Sequence, residues 1–464
     1  MIFFRFTIFK INFNDIIIKH LRCGWARDTK RGFTERMKKI FKLKEHNTNF
    51  KTELIAGLTS FFAAVYIIVV NASILSDGGI SQEPLIIATV FASFIGCLLV
   101  ALISNTPLVV MPGMGINALF TYTIILGMGL TFNQALASVV IAGILFLLVA
   151  ITPLSKILDK SIPNSIKESI TIGIGLFITF LGLQKSGLII SDPTTFVKIG
   201  DLSDPRILFF MFILILTLVL FAKNIPGSFL ISIVTGTIIA ITLKFVDTSN
   251  LTFSLPNFSE YKSIFFNIDL SEIMNIKFWI STFSLTLVIV FENIGLLHGQ
   301  INGLLKAPEK QNKALNSIAL STIACGFLGT SPSVSTVEGT AGIAAGGKTG
   351  LTSLISGILL LLTLILIPFV NIIPNEVIAP ILIILGSLMI KGIVHIDFND
   401  ISEAIPSFLI IVLIPLTFSI IDGIAFGFIS YVIMKIATKK YKDISIVMYL
   451  IAFTFVIYLL LSTI

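Results

Sequence analysis

From residue 52 to residue 438 the chain is a near-continuous series of apolar runs of helical length, broken by short polar or Gly/Pro-containing turns. The runs lie near 52–74, 84–104, 107–126, 132–152, 164–184, 206–222 and 226–246, then near 277–298, 312–329, 333–345, 350–371, 374–391, 404–419 and 421–438. Spanning a bilayer takes roughly 20 apolar residues. Only helices can satisfy each backbone polar group within its own segment there. The pattern predicts an all-α polytopic membrane protein of about 14 segments. A last apolar run, 444–462, reads either as an extra span or as a helix lying on the membrane.

The pattern divides the chain into a terminal stretch (1–36), a first set of seven segments (37–246), an extramembrane connector (247–276), a second set of seven (277–438) and an apolar tail (439–464). The run from Met1 to Phe9 is too short to span, and Arg5 and Lys10 interrupt it. Met37 is a second start candidate, so 1–36 reads as a dispensable extension.

Composition agrees. Of 464 residues 55% are apolar and 12% charged, with a mean hydropathy of +1.00, which excludes a soluble enzyme, a disordered chain and a disulfide scaffold. Cys23, Cys97 and Cys325 are too dispersed for a metal quartet, and nothing in the pattern implies a cofactor. The net charge of +7 does not point to nucleic acid, because it collects in the loops. Lys38 to Lys51, then Lys156/Lys160/Lys167, Lys306/Lys310/Lys313 and Lys435/Lys439/Lys440/Lys442 all fall on one side if the spans alternate. The loop 75–83, on the other side, has no basic residue. The expectation is a multi-pass protein of the cell membrane with a cytoplasmic amino terminus.

The third and tenth segments are abnormal. Pro107-Leu-Val-Val-Met-Pro-Gly-Met-Gly-Ile-Asn117 and Gly329-Thr-Ser-Pro-Ser-Val-Ser-Thr-Val-Glu338-Gly each begin as an extended, proline-containing piece. Each then turns into a helix too short to cross. Glu338 follows Asn117 by 221 positions (338 − 117), close to the offset of about 225 between the first spans of the two sets (277 − 52). An odd number of spans per set inverts the second copy in the membrane. Paired, interrupted segments in corresponding places point to a transporter's binding site, where helix amino termini meet near the midplane. Two re-entrant hairpins with a packing role are the alternative.

Two acids stand where lipid should be: Glu292 inside the eighth span and Glu338 opening the short helix of the tenth. Such charges are costly on insertion, roughly 2.5–3.5 kcal/mol each, and mark functional cavities. Carboxyl groups withdrawn from water suit proton carrying, and equally suit accepting hydrogen bonds from N–H donors of a polar heterocycle. Asn117 either contacts a ligand or caps its helix. Asn71 reads as a helix-packing residue, His298 as interfacial, Glu53 and Glu168 as first-turn acids favoured by the helix dipole, and Asp422 as exposed. Gly342-Ile-Ala-Ala-Gly-Gly-Lys-Thr349 lacks the setting of a phosphate loop and reads as close helix packing before a cytoplasmic turn. Gly113, Gly115, Gly342 and Gly346 read as small-residue surfaces on which two rigid bodies could slide.

From about Met37 the chain resembles the AzgA-like purine permeases of the nucleobase–cation symporter group. The resemblance is carried by Asn49-Phe-Lys-Thr-Glu-Leu-Ile-Ala-Gly-Leu-Thr59, by Met111-Pro-Gly-Met-Gly-Ile-Asn117-Ala, by Gly329 to Glu338 with Ala341 to Gly350, and by Ala404-Ile-Pro-Ser-Phe with Ile414-Pro-Leu-Thr-Phe-Ser-Ile. It implies seven-plus-seven inverted repeats, with a core domain of segments 1–4 and 8–11 and a gate domain of 5–7 and 12–14. It implies a purine nucleobase (hypoxanthine, guanine or adenine) as substrate and protons as the coupling ion. By motif position Asn117, Glu292 and Glu338 would contact the purine, with Glu292 and Glu338 in proton coupling. The family's eighth segment usually reads Phe-Asp-Thr-x-Gly-Thr, and this chain has Phe291-Glu-Asn-Ile-Gly-Leu296; after Glu338 the usual Ser is Gly339.

Proton-coupled purine import is the leading expectation. An anion carrier of the same fold is the alternative, although two acids at the centre oppose it; a passive nucleobase channel is another. No Ser/His or metal-ligand spacing within the spans supports an enzyme. The sequence leaves a homodimer open.

Overall fold

The computed structural model describes residues 36–246, 256, 258–370 and 372–462. The expectation for residues 1–36 therefore lies, Arg36 apart, outside the described residues. So does part of the 247–276 connector.

The first set comprises α1 (Phe50–Ser76), α2 (Gln82–Ser104), strand β1 (Val110–Pro112), α3 (Met114–Gly127), α4 (Phe132–Ile151), α5 (Asn164–Lys185), a surface hairpin of β2 (Ile189–Asp192) and β3 (Phe196–Ile199), α6 (Pro205–Ala222) and α7 (Ser228–Thr242). The second comprises α8 (Ile276–Leu305), α9 (Gln311–Leu328), β4 (Ser333–Ser335), α10 (residues 337–344), α11 (Gly350–Val370), α12 (Asn375–His395), α13 (Ile401–Thr417) and α14 (Ile420–Ala437). Among the described residues, nine helices are long and apolar enough to cross a membrane. Local chemistry starts them. The Asn49 side chain accepts from Thr52 N–H at α1, Thr131 and Gln134 form a capping box at α4, and Asp204 with Pro205 opens α6.

Helix packing separates two bodies. α1 packs on α2 and α11, α2 on α9, and α4 on α8 and α9. This is the core. α5 packs on α12 and α13, α13 on α14, and α6 on α7 and α12. This is the gate. β1 and β4 meet in the core as an antiparallel pair, Val110 opposite Ser335, Met111 opposite Val334 and Pro112 opposite Ser333. Proline explains why these pieces are not helical: Pro112 and Pro332 lack an N–H and hold the preceding residue extended. Gly329, at φ +85, ends α9 in the left-handed conformation that a side chain resists.

Several expectations are revised. The eighth span does not stop at 298 but continues to Leu305, its last part wound as a wider π-helix. The apolar tail forms α15 (Ile446–Ser462), antiparallel to α14 along its length. Ser445 at its start donates to the Ser161 carbonyl at 3.0 Å, and Tyr458 near its end donates to Asp422 at the start of α14 at 2.6 Å. Asp422 is thus partnered. Glu53 does more than favour its own helix dipole. It is fully buried and accepts from Lys348 N–H (3.0 Å), Thr349 N–H (3.3 Å) and Thr352 Oγ1 (2.7 Å), tying the start of α11 to α1. Three of the four glycines pack within the core rather than on the gate. A Cβ on Gly342 would lie 1.9 Å from Ser60 Oγ, one on Gly113 2.9 Å from Val334, and one on Gly346 3.0 Å from Thr52. Gly115 alone of the four faces the gate, where an added methyl would lie 2.8 Å from Ile174 of α5.

Candidate functional site

The two half-helices α3 and α10 begin where β1 and β4 end, so their amino termini converge in the middle of the core. The first N–H groups of a helix have no carbonyl of their own to bond. Neither Gly113 nor Thr336, the residues before these helices, caps them with a side chain. Extended backbone at this depth is stable only when enclosed by protein, and α8 encloses it. Asn293 Oδ1 accepts from Ser335 N–H at 3.1 Å, and Gln300 donates to the Thr336 carbonyl at 2.7 Å and accepts from Ser335 Oγ at 2.5 Å. From the other side the Val109 carbonyl accepts from Thr336 N–H at 2.9 Å, and Ser321 Oγ accepts from Ser333 Oγ at 2.8 Å.

Glu292 precedes Asn293 on α8, and successive helical residues point about 100° apart. While Asn293 holds β4, Glu292 faces a cavity of about 880 Å³ between core and gate. The half-helix starts Gly113–Gly115 and Val337–Glu338 form its inner wall; Phe291 and, from the gate, Phe428 and Ile174 add apolar surface. Glu292 is half-buried and has no hydrogen-bond or ionic partner among the described residues. Glu338, also half-buried, accepts a hydrogen bond from the Tyr66 hydroxyl. Tyr66 follows the interruption of α1 at Val65, and its ring stands edge-on to Phe229 of α7, centroids 4.9 Å apart.

Glu292 and Glu338 therefore line one cavity. Asn117 is fully buried and lies off its wall. Its Oδ1 accepts from Ser331 Oγ at 2.6 Å, beside Asn71, which donates to Thr89 (2.7 Å) and Thr330 (3.2 Å). This polar cluster joins α1, α2 and α3 to the lead-in of β4. Sequence reading missed Asn293, Gln300 and Tyr66. For the first two a signal existed, two amides seven residues apart on one helical face.

The cavity opens between Asn164, Lys167 and Glu168 at the start of α5 and Lys391 and Gly392 at the end of α12, with His298 of α8 beside the mouth. That is the end of the molecule with the Lys-rich loops. At the far end the bodies are in contact: Tyr122 of α3 and Phe177 of α5 pack edge to face at 5.7 Å, and Thr123 Oγ1 accepts from Ile420 N–H at 3.1 Å.

Two inverted seven-segment repeats, with broken helices meeting beside half-buried carboxylates, define a polytopic all-α membrane-protein fold. The fold is shared with the transmembrane domain of a cyanobacterial bicarbonate transporter, BicA (TM-score 0.62, 18% identity, 81% of this chain and 97% of that one), and with the murine anion transporter Slc26a9 in its inward-facing state (TM-score 0.65, 13% identity, 92% and 75%). The chain belongs to the family described as Permease family, of the xanthine/uracil permease type, which matches it over residues 51–426. It is 45% identical to the nucleobase transporter PlAzg2 of Paenibacillus larvae over 83% of this chain and 77% of that protein. Identity is 36% to the guanine/hypoxanthine permease PbuO of Bacillus subtilis (90% and 99%) and 33% to the adenine permease AdeP of Escherichia coli (91% and 95%).

Proposed function

We propose that this permease imports purine nucleobases (hypoxanthine, guanine or adenine) across the plasma membrane by proton symport, with its amino terminus cytoplasmic. The observation that carries the reading is Glu292: a carboxylate without a protein partner among the described residues, on the wall of a cavity shared with Glu338 and the starts of two half-helices. A purine offers ring N–H donors to the carboxylates, ring nitrogens and carbonyl oxygens to the helix N–H groups, and a flat face to Phe291 or Phe428. Names of three relatives, each matched over most of its length, support the substrate class.

In this reading Glu292 and Glu338 bind the base, and a proton taken up on one of them lets the loaded site cross without a net negative charge. Asn117 would meet the base directly only by turning from Ser331; in this conformation it holds α3 against the lead-in of β4. The cavity opens on the Lys-rich side, so this is the inward-facing arrangement. Transport then proceeds by the gate rocking against the core, closing this mouth and opening the far seam.

Uptake of radiolabelled hypoxanthine, guanine, adenine and sulfate into cells lacking their own purine uptake, with and without an uncoupler, tests the reading. Uncoupler-sensitive accumulation of a purine supports it. Sulfate uptake without purine uptake would return the chain to the anion carriers, and purine uptake that merely equilibrates would make it a passive channel.

A further inference from the structure

We propose that Asp77 and Lys185 form a latch that holds the outer seam between core and gate shut, and that it must open in every transport cycle. The proposal rests on the rocking motion described above but not on which substrate is carried.

Asp77 stands in the turn after α1, on the core. Lys185 is the last residue of α5, on the gate. The Lys185 ammonium lies 2.7 Å from Asp77 Oδ2 and 3.0 Å from Oδ1, and donates to the Ser73 carbonyl at 3.3 Å. The Tyr122 hydroxyl of α3 donates to the same carboxylate. One acid thus receives a donor from the core and a cation from the gate. The lysine side chain is 12% exposed and the aspartate 33%, so the pair is shielded on the lysine side and open to water on the other, and its contribution exceeds that of a fully solvated pair only in part. Two further ion pairs stay within the gate: Arg206 of α6 with Glu376 of α12 at 2.8 Å, and Lys435 of α14 with Glu403 of α13 at 2.6 Å.

The position along α5 gives the pair its consequence. Ile174, Ile178, Leu181 and Lys185 lie on one face of that helix, at offsets of four, seven and eleven. Ile174 lines the cavity and abuts Gly115, whereas Ile178 and Leu181 are buried. The latch is therefore roughly 16 Å along α5 from the cavity wall, at 1.5 Å per residue, and the buried isoleucine and leucine close the seam between. Opening the site to the far side draws this face of α5 away from α1 and α3. Asp77 and Lys185 then part into water, where each charge is hydrated. The pair favours the closed outer seam over the open one, and neutralising either member removes that bias.

The test is labelling of Ile178→Cys by a membrane-impermeant thiol reagent applied to the outer face of intact cells without substrate, relative to background in the chain that keeps Ile178. Variants are compared at matched amounts in the membrane. Asp77→Asn and Lys185→Gln should each raise labelling several-fold. Lys185→Arg, which keeps the cation, should stay near the parental rate, and exchanging the charges (Asp77→Lys with Lys185→Asp) should lower labelling again from either neutralised variant. Unchanged labelling in both neutralised variants, or no recovery on exchange, would overturn the latch. Because no purine is present, a failure of the substrate assignment leaves this result readable.

Discussion

The Tyr66 hydroxyl donates a hydrogen bond to the Glu338 carboxylate, joining the interruption in α1 to the start of α10 across 272 positions of sequence. The same phenol ring rests edge-on against Phe229 of the gate, so one residue touches both a cavity carboxylate and the gate. Tyr66→Phe keeps the ring contact and removes only the donor. A hydrogen bond to a charged group contributes about 1.5–3 kcal/mol, so the variant should melt earlier in detergent. Tyr66→Ala, which also loses the Phe229 contact, should melt earlier still. Thermal unfolding of the two purified variants checks the order.

Glu292→Gln preserves shape and one acceptor but removes the titratable charge. Losing a charge-assisted hydrogen bond to the base should weaken binding by roughly ten- to a hundredfold, and accumulation against a gradient should collapse. Glu292→Asp restores the acid usual in the resembling family and should be the mildest change. Glu338→Gln should be as severe as Glu292→Gln, because both carboxylates line one cavity. Purine uptake at graded external concentrations separates these outcomes.

Glu53 predicts a purely structural defect. Glu53→Ala leaves the Lys348 and Thr349 N–H groups and the Thr352 hydroxyl at the start of α11 without their carboxylate acceptor. Each buried donor left bare costs about 1–3 kcal/mol. The variant should show a large drop in thermal stability, Glu53→Gln a smaller one, and what folds should retain the parental ranking among purines in competition assays.

Gly115→Ala should impede the gate. The added methyl would lie 2.8 Å from Ile174 Cγ2, so α5 could no longer approach α3 as closely. Uptake should fall with little loss of membrane expression, and Ile174→Ala in the same chain should recover part of it. Absence of recovery would show that the glycine serves the half-helix rather than the core–gate contact.

The sequence made the segments legible because each apolar run is long and continuous, and it marked α3 and α10 because prolines and glycines interrupt them in corresponding places. Glu292 was visible as a charge inside an apolar run. The β1–β4 pairing was not, since three-residue strands carry no periodicity and meet across more than two hundred positions. Tyr66 gave no signal, as an aromatic residue in an apolar helix looks like any core position. Asn117 was conspicuous as a lone polar residue, but its orientation depends on Ser331 from the other repeat. Asp77 and Lys185 lie in ordinary helix-end turns, and only the fold places them together.

In the proposed symport a purine and a proton cross together through the Glu292 cavity. It is tested most directly in proteoliposomes of the purified protein with a trapped pH indicator and no imposed gradient. Adding hypoxanthine, guanine or adenine outside should acidify the lumen in the parental protein and leave it unchanged with Glu292→Gln. Purine entry in the parental protein with no accompanying acidification would contradict the account.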